Sequence, residues 1–177
     1  WIVILNGSER IPVEEAVHVP LTLKGMAPFM IANALAATLA VYVQGVELEA
    51  IRRGLRTFTA SVDQTPGRMN LFDMGNFHAL VDYAHNAASY EALGGFIANW
   101  PGKCIGVVGG PGDRRDEDLE ELGRLSAGMF DHIIVKEDDD TRGRERGNAA
   151  EWIVRGIQAT QSDCTFETIL KESKAIN

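Results

Sequence analysis

From residue 76 onward, apolar runs rich in β-branched residues alternate with amphipathic stretches of helix length, and that alternation leaves few folds open. The runs are Asn76–Asp82, Lys103–Gly109, Ile133–Lys136 and Phe166–Leu170. Between them lie a helix opening at Asn86, a helix over Asp116–Met129 and a helix opening at Asn148. Strands joined through a helix run parallel, because the crossover returns the chain to the end where it started. The expectation is an α/β fold: a Rossmann-like, mostly parallel sheet with helices on both faces.

Local signals place the boundaries. Asn86 can cap the helix carrying Leu93, Phe96 and Ile97 on one side. Leu119, Leu122, Leu125 and Met129 mark the inner stripe of the second helix, whose first turn is acidic as the helix dipole favours. Asn148 with Glu151 has the spacing of a capping box, and Trp152, Ile153 and Ile157 face inward. The closing Lys171–Asn177 reads as a helix cut short. Gly75-Asn76 between Arg68–Met74 and Asn76–Asp82 is a hairpin signal.

The first part differs. Trp1–Leu5 and Ile11–Val19 read as two strands around an Asn6-Gly7 turn, able to form a hairpin. Pro28 opens a helix through Val43 that Gly45 ends, and Val46–Phe58 is a second helix with Leu48, Ile51 and Leu55 on one side. Two helices in tandem read as the closing piece of a larger α/β domain. Thr59–Gly67 is polar and aperiodic, so a domain boundary is placed there, giving residues 1–63 and 64–177. The chain starts at Trp1 and runs straight into a strand, so it reads as an excised fragment.

The net charge of −8 argues against nucleic acid and anionic membranes as partners. It leaves nucleotides open, since these need only a local positive patch. No apolar run reaches the ~18 residues of a membrane span, there is no basic amino-terminal signal region, and Cys104 and Cys164 fit a reduced cytoplasmic setting. Cys104 falls in a strand and Cys164 in a polar loop, contexts that speak against a disulfide.

Chemistry concentrates where strands end. Ala79-Leu80-Val81 runs into Asp82-Tyr83-Ala84-His85-Asn86, which puts polar groups at a strand's carboxyl end, where open α/β sheets bind ligands. Asp82 can accept two hydrogen bonds from a ribose or stabilise the hairpin. Tyr83 can pack on a base, His85 can order the loop, and Asn86 reads as a cap. No second histidine stands at metal-ligand spacing, which argues against zinc. Arg68 follows a Pro-Gly turn, where a guanidinium can meet two phosphate oxygens. Gly109-Gly110-Pro111-Gly112-Asp113-Arg114-Arg115 is either a plain strand-to-helix turn or a substrate loop; it is no Walker motif, since Gly-x-x-x-x-Gly-Lys-Ser/Thr is absent from the chain. Glu137-Asp138-Asp139-Asp140-Thr141-Arg142 closes the third run with a dense charge cluster.

Several patches in the same order resemble the ATP-dependent Mur ligases: Asn33-Ala34-Leu35-Ala36-Ala37, Gly54-Leu55 with Phe58, Pro66-Gly67-Arg68-Met69, the Asp82 motif and the Gly109–Asp116 loop. The resemblance spans roughly residues 25 to 145. It departs at Phe29-Met30, where many relatives carry His-Asn. It implies that residues 1–63 end a central ATPase domain and that 64–177 form the carboxy-terminal Rossmann-like domain. It also implies ATP and Mg²⁺ as cofactors. Nucleotide contacts would come from Asp82 to the ribose, Arg68 to the phosphates, Tyr83 and Asn33. Within the family, the motif combination is most similar to the branch that joins arginine to the side-chain carboxyls of an aspartate polymer. On that resemblance Asp138, Asp139 and Asp140 would meet the cationic amino acid, Arg142 its carboxylate, and Arg115 and His85 would complete the substrate set.

Such a ligase phosphorylates a carboxylate, and an amine then displaces phosphate. The phosphate loop and most metal ligands would lie outside this sequence, so the piece alone is expected to be inactive; no catalytic residue is assigned within it. The expected partners are ATP, arginine, the aspartate polymer and further copies of the protein, in the cytoplasm. Two alternatives stay open: a relative acting on peptidoglycan precursors or folylpolyglutamate, and a non-catalytic Rossmann-like assembly or regulatory module.

Overall fold

The computed structural model describes residues 1–176. They form two compact units, Trp1–Tyr83 and Ala84–Asn177, the last residue lying outside the described part.

In the first unit, strands β1 (Ile2–Asn6) and β2 (Glu9–Glu14) make an antiparallel ribbon around a left-handed Gly7. Its register shifts between Ile2 and Val3, opposite Pro12, which has no N–H to give the ladder. The sequence predicts a second strand reaching Val19. It stops at Glu14, and Ala16–His18 and Pro20–Thr22 form two short 3₁₀ turns instead. Thr22 is fully buried and its hydroxyl donates to the Ala16 and Val19 carbonyls (2.6 and 2.9 Å), which fixes the turns locally. Helix α1 (Pro28–Val43) begins with proline and is followed by left-handed Gly45; α2 (Leu48–Thr57) follows. Ile2, Ile4, Val13, Val19, Ala34 and Ile51 make this unit's core. Glu14 is buried with them and Arg56 Nε donates to its carboxylate.

The unit closes with a hairpin, β3 (Asn70–Asp73) against β4 (His78–Val81). The turn is built by left-handed Gly75, whose N–H donates to Asp73 Oδ1 (2.8 Å), and by a Met74 to Phe77 backbone bond (2.9 Å). The sequence pattern makes the β4 run the first strand of the parallel series. Among the described residues it bonds to β3 instead, because the tight glycine turn presents it to its sequence neighbour.

The second unit holds a parallel sheet of β5 (Ile105–Val108), β6 (His132–Glu137) and β7 (Thr165–Lys171), in that order. Helices α3 (Ala87–Ile97), α4 (Asp116–Ala127), α5 (Asn148–Gln158) and the short α6 (Glu172–Ala175) complete it, confirming the α/β class with a parallel sheet. Leu119, Leu122, Ile133, Val135, Ile153 and Ile157 form its core, each contributing about 2 kcal/mol by burial. The α4–α5 contact depends on two glycines. A Cβ on Gly123 would overlap the Ile153 carbonyl oxygen, and one on Gly156 the Glu120 carbonyl oxygen. On the opposite side of the sheet, Ile105 and Val107 of β5 stay exposed.

Asn86 caps α3 as expected: its Oδ1 accepts from Ser89 N–H (2.9 Å) while Ser89 Oγ accepts from Asn86 N–H (3.1 Å). The cap of α5 is not the expected one. Left-handed Gly147 is the N-cap residue, and Asn148 turns its Oδ1 to Arg144 (2.7 Å). Cys104 and Cys164 are free thiols on the residues before β5 and β7, with β6 between them, too far apart in a sheet to bridge. Burial, then the Asp131 charge, pushes both thiols up.

Candidate functional site

Two polar clusters, one in each unit, collect most of the residues singled out from sequence. The first is built on the Thr65–Asn70 turn. Asn70 is buried and its side chain holds the turn from inside: Oδ1 accepts from Gly67 N–H (2.7 Å), and Nδ2 donates to the Thr65 and Arg68 carbonyls (3.0 and 3.1 Å). Gly67 and Met69 both adopt positive φ, and Met69 is fully buried, so its side chain anchors the turn. That geometry throws Arg68 outward. Its guanidinium lies 4.8 Å from the centre of the Tyr83 ring, a cation–π contact worth about 0.5–1 kcal/mol at an exposed site. Asp82 Oδ2 accepts from Met69 N–H (2.9 Å), which ties the end of β4 to the turn.

Arg68, Asp82 and Tyr83 therefore stand together: a cation, a carboxylate with an oxygen left over, and an aromatic face. Asn33 is carried by a different element, α1, where it is exposed with its amide 3.6 Å from Met30 Sδ.

The second cluster lies at the carboxyl ends of β5 and β6. The loop after β5 is pressed against the loop after β6: a Cβ on Gly112 would overlap the Thr141 carbonyl oxygen, and one on Gly110 would strike Leu119. These glycines thus permit close packing. Tyr90 of α3 reaches the same loop, with Oη 3.5 Å from the Gly109 carbonyl; burial pushes its hydroxyl up to about 12.

Arg142 and Arg144 stitch the two loops, and Arg146 fastens the second loop to itself. Arg142 Nη1 donates to both oxygens of Asp113 (3.1 and 3.0 Å), and that hydrogen bond holds the Asp113 carboxyl below the usual carboxylate range. Arg144 is half-buried and donates to the Gly112 and Arg114 carbonyls (2.8 and 2.5 Å), to Asp116 (2.6 Å) and to Asn148 (2.7 Å). Arg146 donates to the Asp138 and Asp139 carbonyls (2.7 and 2.8 Å).

The acidic residues have distinct surroundings. Asp138 accepts from Lys136 (2.7 Å), and Asp140 Oδ1 accepts the N–H of Arg142, a residue at positive φ (2.9 Å). Asp139 is exposed. Glu137 is only 3% exposed; its carboxylate accepts from Gly147 N–H (2.8 Å) and Ala150 N–H (3.2 Å) and so caps α5. Arg115 stands at the start of α4, bonded to Asp118 (3.0 and 2.7 Å). His85 sits beside the α3 cap, its N–H donating to Ser89 Oγ (3.0 Å). The cleft between the loops is lined by Gly110, Gly112, Asp138, Asp140 and Arg144 and measures about 10 Å³, room for about one water. Among the described residues no three His, Cys, Asp or Glu side chains converge to hold a metal ion, and no helix is long and apolar enough to cross a membrane.

Glu137, Asn70 and Arg144 were not singled out from sequence. Their partners lie up to 32 residues away, and charge runs look alike whether they face solvent or fasten loops.

The family model described as Mur ligase, glutamate ligase domain, matches residues 67–177. Cyanophycin synthetase of Nostoc sp. is 63% identical over 100% of this chain, and that of Synechocystis sp. 59% identical over 100%. In both cases the chain spans about a fifth of the relative's length (20%). The solved folylpolyglutamate synthase of Mycobacterium tuberculosis, complexed with ADP and AMPPCP, aligns with TM-score 0.65 at 21% identity, over 84% of this chain and 32% of that one. A UDP-N-acetylmuramoyl-L-alanyl-D-glutamate–2,6-diaminopimelate ligase structure aligns with TM-score 0.54 at 20% identity, over 84% and 29%. The chain belongs to the Mur ligase family, by its glutamate ligase domain.

Proposed function

We propose that this chain is the carboxy-terminal portion of an ATP-dependent amide ligase that joins arginine to the side-chain carboxyls of an aspartate polymer. Residues 1–63 end its ATPase domain, residues 64–177 form its closing domain, and Thr59–Gly67 is the joint. The observation that carries the reading is the grouping of Arg68, Asp82 and Tyr83 at one turn. Their chemistry matches the three parts of a nucleotide: guanidinium for phosphate, carboxylate for ribose hydroxyls, aromatic ring for base. The names of the relatives at 63% and 59% identity support the choice within the family.

In the reaction, ATP transfers its terminal phosphoryl group to the acceptor carboxylate. The arginine α-amine attacks the resulting acyl phosphate, an amide bond forms, and phosphate leaves. Arg68 stabilises phosphate charge, Asp82 and Tyr83 fix the nucleoside, and Asn33 adds a contact to the base. Asp138, Asp139 and Asp140 hold the cationic amino acid, Arg142 meets its carboxylate, and Arg115 and His85 shape the approach. Several of these groups are already engaged with one another, so substrate enters by exchanging partners across exposed ion pairs, each worth about 0–1 kcal/mol. Mg²⁺ would neutralise phosphate charge, and its ligands belong to the rest of the enzyme, which acts in the cytoplasm as an assembly of several copies.

The test is amino-acid-dependent phosphate release by the complete enzyme. Arginine, among the standard amino acids, is expected to trigger release, and Asp139→Lys to raise the arginine KM about tenfold or more through loss of a charge-assisted contact. Release triggered by an acidic amino acid, or an unchanged arginine KM, removes the assignment.

A further inference from the structure

Successive side chains of a strand point to opposite faces of the sheet. At the end of β6, Glu137 therefore turns to α5 and caps it, while Lys136 turns to the other face. Its side chain is only 15% exposed, whereas its two partners, Asp138 and Glu172, are 41 and 51% exposed. A lysine is seldom so covered unless it is paired. The carbon stem runs over Gly109, just past β5, where a Cβ would stand 3.0 Å from Lys136 Cε. The ammonium comes to rest between Asp138 Oδ1 (2.7 Å) and Glu172 Oε2 (3.6 Å), Glu172 being the first residue of α6.

Two carboxylates around one compact cation form a seat for an ammonium, and here a residue of the protein fills it. The seat adjoins the cleft between the loops, since Asp138 lines both. The neighbouring groups are otherwise engaged. Asp140 accepts the Arg142 N–H, and Arg146 spends its guanidinium on the Asp138 and Asp139 carbonyls and the Glu137 carboxylate. An incoming cation is left with the other oxygen of Asp138 and with the exposed Asp139. A planar guanidinium, with five donors and a delocalised charge, can bridge two such carboxylates. A second ammonium needs the point that Lys136 already holds, and meets its charge there.

We propose that Lys136 is a specificity-determining residue. Its ammonium takes the place that an amine side chain would occupy between Asp138 and Glu172, and so turns the acidic rim from lysine toward arginine. Discrimination of this kind is built from repulsion as well as attraction. The inference rests on the reading of this chain as part of a ligase whose amino-acid substrate meets Asp138, Asp139 and Asp140.

The test is phosphate release by the complete ligase, with arginine and with lysine, giving kcat/KM for each. Lys136→Ala empties the seat, and the lysine-to-arginine ratio of kcat/KM is expected to rise about tenfold or more. Lys136→Arg keeps a cation there and is expected to stay within about twofold of the parent ratio. An unchanged ratio in Lys136→Ala overturns the proposal. So does a loss shared equally by the two amino acids, which makes Lys136 an anchor for α6 and nothing more. Melting of the 177-residue chain shows whether Lys136→Ala folds. If it does not, Lys136→Met with Glu172→Gln relieves the carboxylate repulsion, keeps Asp138, and must show the same rise. A parent enzyme that releases no phosphate with arginine defeats the ligase reading. A parent that does, with the ratio unmoved in the folded variant, defeats the specificity role alone.

Discussion

Replacing Glu137 with alanine removes a buried carboxylate from the second unit, together with a 3.5 Å contact from Arg146. The carboxylate is buried at the amino end of α5, where it accepts two backbone N–H groups at 2.8 and 3.2 Å. Ala150, one of the donors, is 1% exposed, so water cannot replace the lost acceptor there. Hydrogen bonds to a charged group contribute about 1.5–3 kcal/mol each. Two of them, with the favourable placement of negative charge at a helix start, give an expected loss of about 3–5 kcal/mol. Glu137→Gln keeps the shape and one acceptor oxygen, and is expected to cost about half as much. Urea unfolding of the 177-residue chain measures both, and amide exchange shows whether the loss begins in α5. A Glu137→Ala protein within 0.5 kcal/mol of the parent would falsify the capping role.

Gly123→Ala and Gly156→Ala each place a methyl group on a facing helix carbonyl, and each is expected to cost about 1–3 kcal/mol in the same unfolding assay. Thr38 carries a buried hydroxyl without a hydrogen-bond partner, so Thr38→Val is expected to stabilise the first unit by about 1 kcal/mol, read as a rise in its melting temperature. Burial pushes the Glu14 carboxyl up, but the Glu15 N–H, Arg56 and His18 pull it below its usual value near 4.5. A lowered carboxyl stabilises the fold fully above its ordinary value and loses that contribution as pH falls through the lowered one. Thermal melts from pH 6 to 3 should therefore show the first unit weakening below about pH 4.5, and Glu14→Gln should flatten that slope.

Local signals made most elements legible. Pro28 and Gly45 framed α1, Gly75 announced the hairpin, and Asn86 marked the α3 cap, which Ser89 completes. What escaped depends on side-chain hydrogen bonds and backbone approaches that apolar periodicity does not register. Ala16–Val19 is apolar enough for a strand, yet the Thr22 hydroxyl turns it into 3₁₀ geometry. Glu137 opens the dense charge cluster after the third run and is the buried cap of α5. Gly123 and Gly156 carry no periodic signal, because their importance lies in the carbonyl that each faces. At the candidate site, the Asp82 motif lies against the Arg68 turn. That Arg68 stacks on Tyr83 follows from Asn70 folding the turn, a side-chain effect that spacing does not reveal.

The central claim is that the Thr65–Asn70 turn presents Arg68 to a nucleotide's phosphates beside Tyr83 and Asp82. Steady-state kinetics of Arg68→Gln in the complete ligase addresses it most directly, since the side chain is exposed and its loss leaves the turn intact. A lost charge-assisted contact predicts an ATP KM raised about 10- to 100-fold, with the arginine KM within about twofold of the parent. An ATP KM equal to the parent's contradicts the account.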